Sequence, residues 1–356
     1  MEQIAHTWIA IRAIALLADE GQTSTLVDLL KPHARESSVG AWIPDRTDAR
    51  RAGARAMPDN HVLKLAPFKG REQAKRFTMV KKDLLSNLGE GRQMRTYLKG
   101  NDSLDEKWWA RPYKADPSPG QHLANRAMAM GTTISDVLAF GDDGVEKLLP
   151  GEPQLRPYMH PDCLTEEAAA AMYFFMLSHF VADACMPCHC DNRVLTSYAK
   201  GKVHEAWEKH WAKAIGDPFE EDTILPPSMR RTWTGTDQGV DGVLQQARDV
   251  DNTFDIDFGS NAVPAMTEKK DLWLDTVYVC RASFALSCIA FPPDTYGYTG
   301  KATPSFKDSL AQGDPDLLVE LDRAVMHDAV LNTAIAWKHL WTGFKPSAKE
   351  GKKPDA

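Results

Sequence analysis

The stretch MYFFMLSHFVADA, Met172 to Ala184, is almost continuously apolar, yet it carries His179 and Asp183 four positions apart. Four positions is just over one helical turn, so both side chains project from one face of a helix. An imidazole and a carboxylate in such a helix are costly to bury unless something compensates them. Any fold this chain adopts must therefore bring partners to that face. Thr165 supplies a cap for the helix and Glu166 and Glu167 a negatively charged first turn, while Pro187 marks its end.

The rest of the chain is also helical in pattern. Residues 3–19 place Ile4, Trp8, Ile11, Ile14, Ala15 and Leu17 near helical spacing. Residues 70–88 form a charged amphipathic stretch, 202–215 read as a further helix, and 269–291 and 315–343 as two long apolar ones. Strand signals are nearly absent; the alternation over Thr253–Phe258 allows a small hairpin and no more. The expected class is all-α, as one domain over 1–344. Within it, 91–160 is rich in Gly, Pro and Trp and reads as a long irregular insertion with one helix near 122–131. Residues 345–356 read as a disordered tail.

A net charge of −7 over 356 residues argues against a general basic surface for duplex nucleic acid. No uninterrupted apolar run is long enough to span a bilayer, so no transmembrane segment is expected. Glu2, His6 and Arg12 do not fit a signal peptide, which places the chain as given in the cytoplasm, or outside the cell if it was already trimmed. Six cysteines, three of them at Cys185, Cys188 and Cys190, are too sparse for a disulfide scaffold.

After the Pro187 break comes His189, and the next helix carries His204 and Glu208, again four apart. Either helical pair alone is ordinarily a surface pair. The set His179, Asp183, His189, His204 and Glu208 falls within thirty residues and starts inside an apolar helix. Two helices and their connection can thus converge on one polar pocket lined by the ligand types zinc accepts.

The strings HFVADACMPCH and HEAWE resemble the core pattern of the zinc-dependent phospholipase C and fungal single-strand nuclease superfamily. That pattern is His-x3-Asp-x5-His, followed by His-x3-Glu or His-x3-Asp. The family also has an early His, matched by His6 in AHTWIA, and an Asp and a His before the core, matched by Asp45 in WIPD and His61 in DNHVLKL. The resemblance covers roughly the first 215 residues. It implies an all-α fold of that type and three Zn2+ ions. Asp45, His61, His179 and Asp183 would hold the first, and His189, His204 and Glu208 the second. His6, the backbone amine and carbonyl of Met1, and a bridging Asp183 would hold the third. The implied reaction is phosphodiester hydrolysis, in which hydroxide between two zincs attacks phosphorus and Asp45 orients or deprotonates the water.

Glu208, and the stretch APFKGREQAKRFTMVKKDLLSN at 66–87, resemble the phospholipase branch. The nuclease branch has acidic residues soon after its second His, whereas Val62, Leu63, Lys64, Leu65 and Ala66 follow His61 here. The expected substrate is a phospholipid or related phosphodiester; the alternative is a single-strand nuclease or 3′-nucleotidase acting on single-stranded nucleic acid. Arg46, with Arg50, Arg51 and Arg55, reads as a solvated basic loop or as an anion-steering rim. Trp42, Phe68, Trp108 and Trp109 read as pocket wall or as core. His33, His122, His160, His210, His327 and His339 match no position of the pattern and read as structural or surface residues. A rival of another class is a c-type haem or redox protein using the CxxCH of Cys185–His189, with an absorbance spectrum as the discriminating observation.

Overall fold

The computed structural model describes residues 1–21, 24–45, 61–63, 65–66, 111–112, 123–140, 166–191, 203–216, 219–221, 231–233, 239–258, 271–290 and 315–343. In chain order the helices are α1 (Gln3–Glu20), α2 (Ser24–Leu30), α3 (Ser37–Gly40), α4 (Leu123–Phe140), α5 (Glu166–Cys185), α6 (Pro187–Cys190), α7 (Val203–Ile215), α8 (Gly239–Asp249), α9 (Leu272–Ala290) and α10 (Pro315–Gly343). Among the described residues strand is confined to two short antiparallel ladders, β1 (Leu65–Ala66) with β2 (Arg111–Pro112), and β3 (Phe219–Glu221) with β4 (Arg231–Trp233). The class is all-α.

A helix that is apolar on every side has no face to offer water and must be enclosed. α5 is such a helix, and it is flanked by α1, α2, α3, α4, α9 and α10. α1 is the second, with Ile4 to Leu17 buried without interruption between α5, α7, α8 and α10. It ends at Gly21, whose φ of 66° is the left-handed geometry that closes a helix and that glycine adopts without strain. One contiguous apolar core joins the helices through Trp8, Phe174, Phe175, Phe180, Trp207, Trp211, Phe284 and Trp337, all fully buried. Burial of each such Phe is worth about 1.5–3 kcal/mol. α7 is amphipathic, burying Val203, Trp207, Trp211 and Ile215 along one stripe.

Several expectations are corrected. The residues around Thr253–Phe258 make no hairpin: a 3-10 turn spans Val250–Thr253, and Asp255 takes a positive φ of 52°. The helix expected near 122–131 continues to Phe140. Gly131 lies inside it, where the missing side chain leaves room for Leu272 of α9, 2.6 Å from where a Cβ would stand. Pro187 does not simply end α5: the break falls at Met186, which is extended, and Pro187 opens α6 at a position where its missing N–H costs nothing. Glu167–Cys185 is long and apolar enough to cross a membrane by length and composition, although no uninterrupted apolar run is; here it is a mostly buried core helix. Residues 70–88 and 345–356, and most of 91–160, lie outside the described residues.

α3 packs against α5 so tightly that a Cβ at Gly40 would stand 2.5 Å from Phe175 Cβ and 2.8 Å from Met172 Sδ. Gly40→Ala is expected to destabilise the protein by about 1–3 kcal/mol, because neither helix can retreat without opening the core. Urea denaturation of the variant checks this.

Candidate metal centre

The polar cluster is built from four of the helices and two further positions, Asp45 and His61. α5 supplies His179 and Asp183, α1 supplies His6, α6 supplies His189, and α7 supplies His204 and Glu208. Asp45 follows α3 closely, and His61 enters from the segment that runs on to Leu63. The Val62 carbonyl accepts the Leu123 N–H of α4 at 3.1 Å, which tethers that segment to the first turn of α4.

Asp183, 1% exposed, is the hub. Its Oδ2 lies 2.9 Å from His61 Nδ1 and 3.1 Å from His179 Nε2. Its Oδ1 lies 3.2 Å from His189 Nδ1, 3.5 Å from the Met1 amine and 3.6 Å from His6 Nε2. Asp45 Oδ1 stands 3.6 Å from both His61 Nδ1 and His179 Nε2. On the far side, Glu208 Oε1 is 2.7 Å from His204 Nε2 and 2.7 Å from the Met1 amine, and 3.8 Å from His189 Nε2.

His179 Nδ1 donates to the Ala41 carbonyl at 2.6 Å, so its Nε2 carries the lone pair that faces the cluster. That Nε2 lies 2.9 Å from His61 Nδ1, and His189 Nε2 lies 2.8 Å from His204 Nε2. Two imidazole nitrogens at that distance need a proton or a cation between them. His6 stacks on His179 with ring centroids 4.0 Å apart. Among the described residues, neither nitrogen of His6 has a hydrogen-bond partner, nor has His189 Nδ1 or Glu208 Oε1, although all are buried. Close approach without hydrogen-bond alignment is what ligand atoms show when they aim at a shared point.

The electrostatics agree. Burial holds the His6 imidazole well below its ordinary range, and His179 and the Met1 ammonium add to that. Burial likewise lowers His189 to about 4, despite Asp183 beside it. Burial opposes ionisation of Asp183 and Glu208. It is overcome at Asp183 by His179, His189 and the Met1 ammonium, and at Glu208 by that ammonium and His204, so both carboxyls sit well below the usual carboxylate range. The Met1 amine, disfavoured by burial, is lifted to about 11 by Glu208, Asp183 and Asp45. Three carboxylates thus face one ammonium and a set of imidazoles of which two are held neutral. Neutral imidazole with ionised carboxylate is the state that binds a cation.

Three groups have ligand atoms close enough to hold a metal ion: His6, Asp45 and His179; His61, His179 and Asp183; and His189, His204 and Glu208. The last is the set expected for the second ion. The second, His61, His179 and Asp183, is three of the four side chains expected for the first ion, with Asp45 Oδ1 3.6 Å from both imidazoles, and the first brings Asp45 and His179 together with His6, which stacks on His179. The cluster is closed at Asp183, His6 and His179 and open at Asp45 and His204, whose side chains are 34% and 35% exposed. Trp42, its ring 6.5 Å from that of His6, is part of the wall. Arg46, Arg50, Arg51, Arg55, Phe68, Trp108, Trp109, His122 and His160 lie outside the described residues.

The CxxCH string contributes its His to this cluster. Cys185 and Cys188 are buried and in no disulfide among the described residues, and Cys190 turns its thiol to the Ala184 carbonyl, 3.4 Å away. No pattern of residues points to the Ala41 carbonyl, a backbone group, or to Asp322, which lies far along the chain and meets α7 only in the fold. His210, read as structural or surface, pairs with that Asp322, and His327 stacks on Phe258. His33 and His339 are in none of the three groups.

Compared with protein-family models, curated proteins and solved structures, the chain matches none.

The metal-free protein should lose stability in acid. His189, near 4 in the fold against an ordinary 6.5, takes up its proton more readily when unfolded, so its cost is absent above about pH 6.5 and grows as pH falls toward 4. His6 acts in the same direction. The depressed carboxyls of Asp183 and Glu208 contribute stability above their ordinary values that is lost at still lower pH. From His189 alone the loss between pH 7 and pH 5 is about 2 kcal/mol. Urea titration of chelator-treated protein at the two pH values measures it, and equal stability at both would contradict the burial of neutral imidazoles.

Proposed function

We propose that this chain is a zinc-dependent phosphodiester hydrolase with phospholipase C-like activity. The observation that carries the reading is the meeting of His6, His61, His179, His189 and the Met1 amine within 3.6 Å of the Asp183 carboxylate, in the chain order of the superfamily pattern. The donor set fits zinc: imidazole and carboxylate in a partly open arrangement suit catalytic sites, whereas closed structural sites favour thiolates. His6, Asp45, His61, His179 and Asp183 would hold ions on one side of the cluster, and His189, His204 and Glu208 one on the other.

When bound, the ions would supply Lewis acidity, lower the pKa of a water and take up charge on the phosphoryl group. The chain's own residues do the rest. Asp183 keeps the two sides of the cluster at a fixed separation, since each of its oxygens faces a different set of ligands. Ala41 holds His179 in one tautomer. Asp45, at the exposed edge, is placed to orient a water and accept its proton. Val62 and Leu63 directly after His61 leave that side without the acidic residue a nuclease of this pattern would carry, which favours a phospholipid or related phosphodiester over single-stranded nucleic acid.

Purified protein should contain zinc and hydrolyse phosphodiesters, with turnover abolished by a chelator and restored by Zn2+. His179→Ala and Asp183→Asn should each lose zinc and lower turnover by at least three orders of magnitude, roughly the scale seen when a catalytic group is removed. Glu208→Ala should lose zinc only in part. Full activity in His179→Ala would sink the assignment, and parallel assays on phospholipid and single-stranded nucleic acid separate the two branches.

A further inference from the structure

We propose that Asp322 of α10 is a positioning residue for the metal ligands of α7; this rests on the metal-centre reading above. Asp322 is 5% exposed and touches none of the ligand groups itself. Its Oδ1 accepts the indole N–H of Trp207 at 2.9 Å and that of Trp211 at 2.6 Å. Its Oδ2 lies 2.8 Å from His210 Nε2. All three donors belong to α7, the helix that carries His204 and Glu208.

An indole has one N–H, fixed in the plane of a rigid ring, so each Trp reaches Asp322 from one direction only. Trp207 and Trp211, one turn apart, converge on a single oxygen, which sets the height of α7 against α10. His210, on the other oxygen, is displaced around the helix from both, which sets its rotation. The three contacts leave α7 no free turn about its axis. Side chains reach about 5–6 Å from a helix axis, so a rotation of about 10° would move a ligand atom by about 1 Å. A displacement of that size is enough to spoil a metal site. Glu208 and His204 come from this helix, whereas their companion His189 comes from α6. The group His189, His204 and Glu208 therefore holds its shape only while α7 is kept in register with the rest of the fold. Val203, Trp207, Trp211 and Ile215 bury the apolar stripe of α7, and the three contacts to Asp322 add direction to that packing.

The test compares metal-free wild type, Asp322→Asn and Trp211→Phe, titrated with Zn2+ and, separately, with Co2+ followed by its visible absorption. Asn keeps the size of Asp322 but loses its charge and one acceptor. For the folded Asp322→Asn protein the expected result is a 10–100-fold weaker affinity for one ion, an altered cobalt spectrum and unchanged binding of the others. Trp211→Phe should show a smaller change of the same kind, and it carries the comparison if Asp322→Asn does not fold. A purely structural role would lower the melting temperature and leave the zinc affinity and cobalt spectrum as in wild type; that result in both variants, or in Trp211→Phe alone if only it folds, overturns the proposal. Wild type that takes up no zinc would overturn the metal reading and this inference with it.

Discussion

The fold depends on how the carboxylate of Asp183 is compensated. The group sits on the most enclosed helix of the molecule, 1% exposed, where an unpaired charge would cost several kcal/mol even after relaxation. Five nitrogens answer it: His179 from the same helix, and Met1, His6, His61 and His189 from three other stretches of chain. Each of those four can reach Asp183 only if its own stretch is docked on α5. The docking of α1 on α5, the approach of the 61–63 segment and the break at Met186 are thus bound together by one electrostatic demand. Ion pairing alone answers that demand poorly, because burial suppresses the positive charge on His6 and His189 that would neutralise the carboxylates. A cation removes the conflict, since it accepts neutral imidazole and ionised carboxylate at once.

The apolar scaffold makes that arrangement rigid. α5 is clasped on all sides, and Gly40 allows α3 to approach until its backbone nearly touches Phe175. That approach places the Ala41 carbonyl against His179 and so fixes which nitrogen of the ring faces inward. α7 is held differently. It lies at the margin, with His204 half-exposed, and its orientation comes from polar contacts to Asp322. One side of the cluster is therefore set by close packing and the other by a hydrogen-bonded clamp.

The parts of this structure legible in the sequence were those set by local period. The boundaries of α7 and α10 follow from where apolar spacing starts and stops, and the pairing of His179 with Asp183 and of His204 with Glu208 follows from the helical repeat. Elements decided by distant contacts were not legible. The helix near 122–131 runs on to Phe140, and the glycine within it, Gly131, has its role in the space it leaves for Leu272 of α9, a distant contact with no local signal. The alternation over Thr253–Phe258 mimics a strand, but the chain lacks a partner there and turns tightly after α8 instead. Asp322 carries no local signal at all: it is an acid on the last long helix, and its meaning comes from indoles more than a hundred positions earlier. The grouping of ligands had the same limit. Spacing singled out candidate residues, whereas the stacking of His6 on His179 comes from how α1 lies on α5.

The cysteines beside the cluster show how the same scaffold selects among ligands. Cys185 is the last residue of α5, two positions from Asp183, and Cys188 and Cys190 flank His189. Proximity alone would make them rivals for a soft metal. A thiol must lose its proton to bind one. Burial and the nearby Asp328 push the Cys185 thiol well above its ordinary value, and burial does the same to Cys280. Cys185 is also occupied as an acceptor for Asn332 Nδ2. A site that holds His6 and His189 neutral and Asp183 and Glu208 ionised while keeping the Cys185 thiol protonated presents nitrogen and oxygen donors to an entering ion. The chemistry of the centre is thereby set as much by which groups burial silences as by which groups the helices bring together.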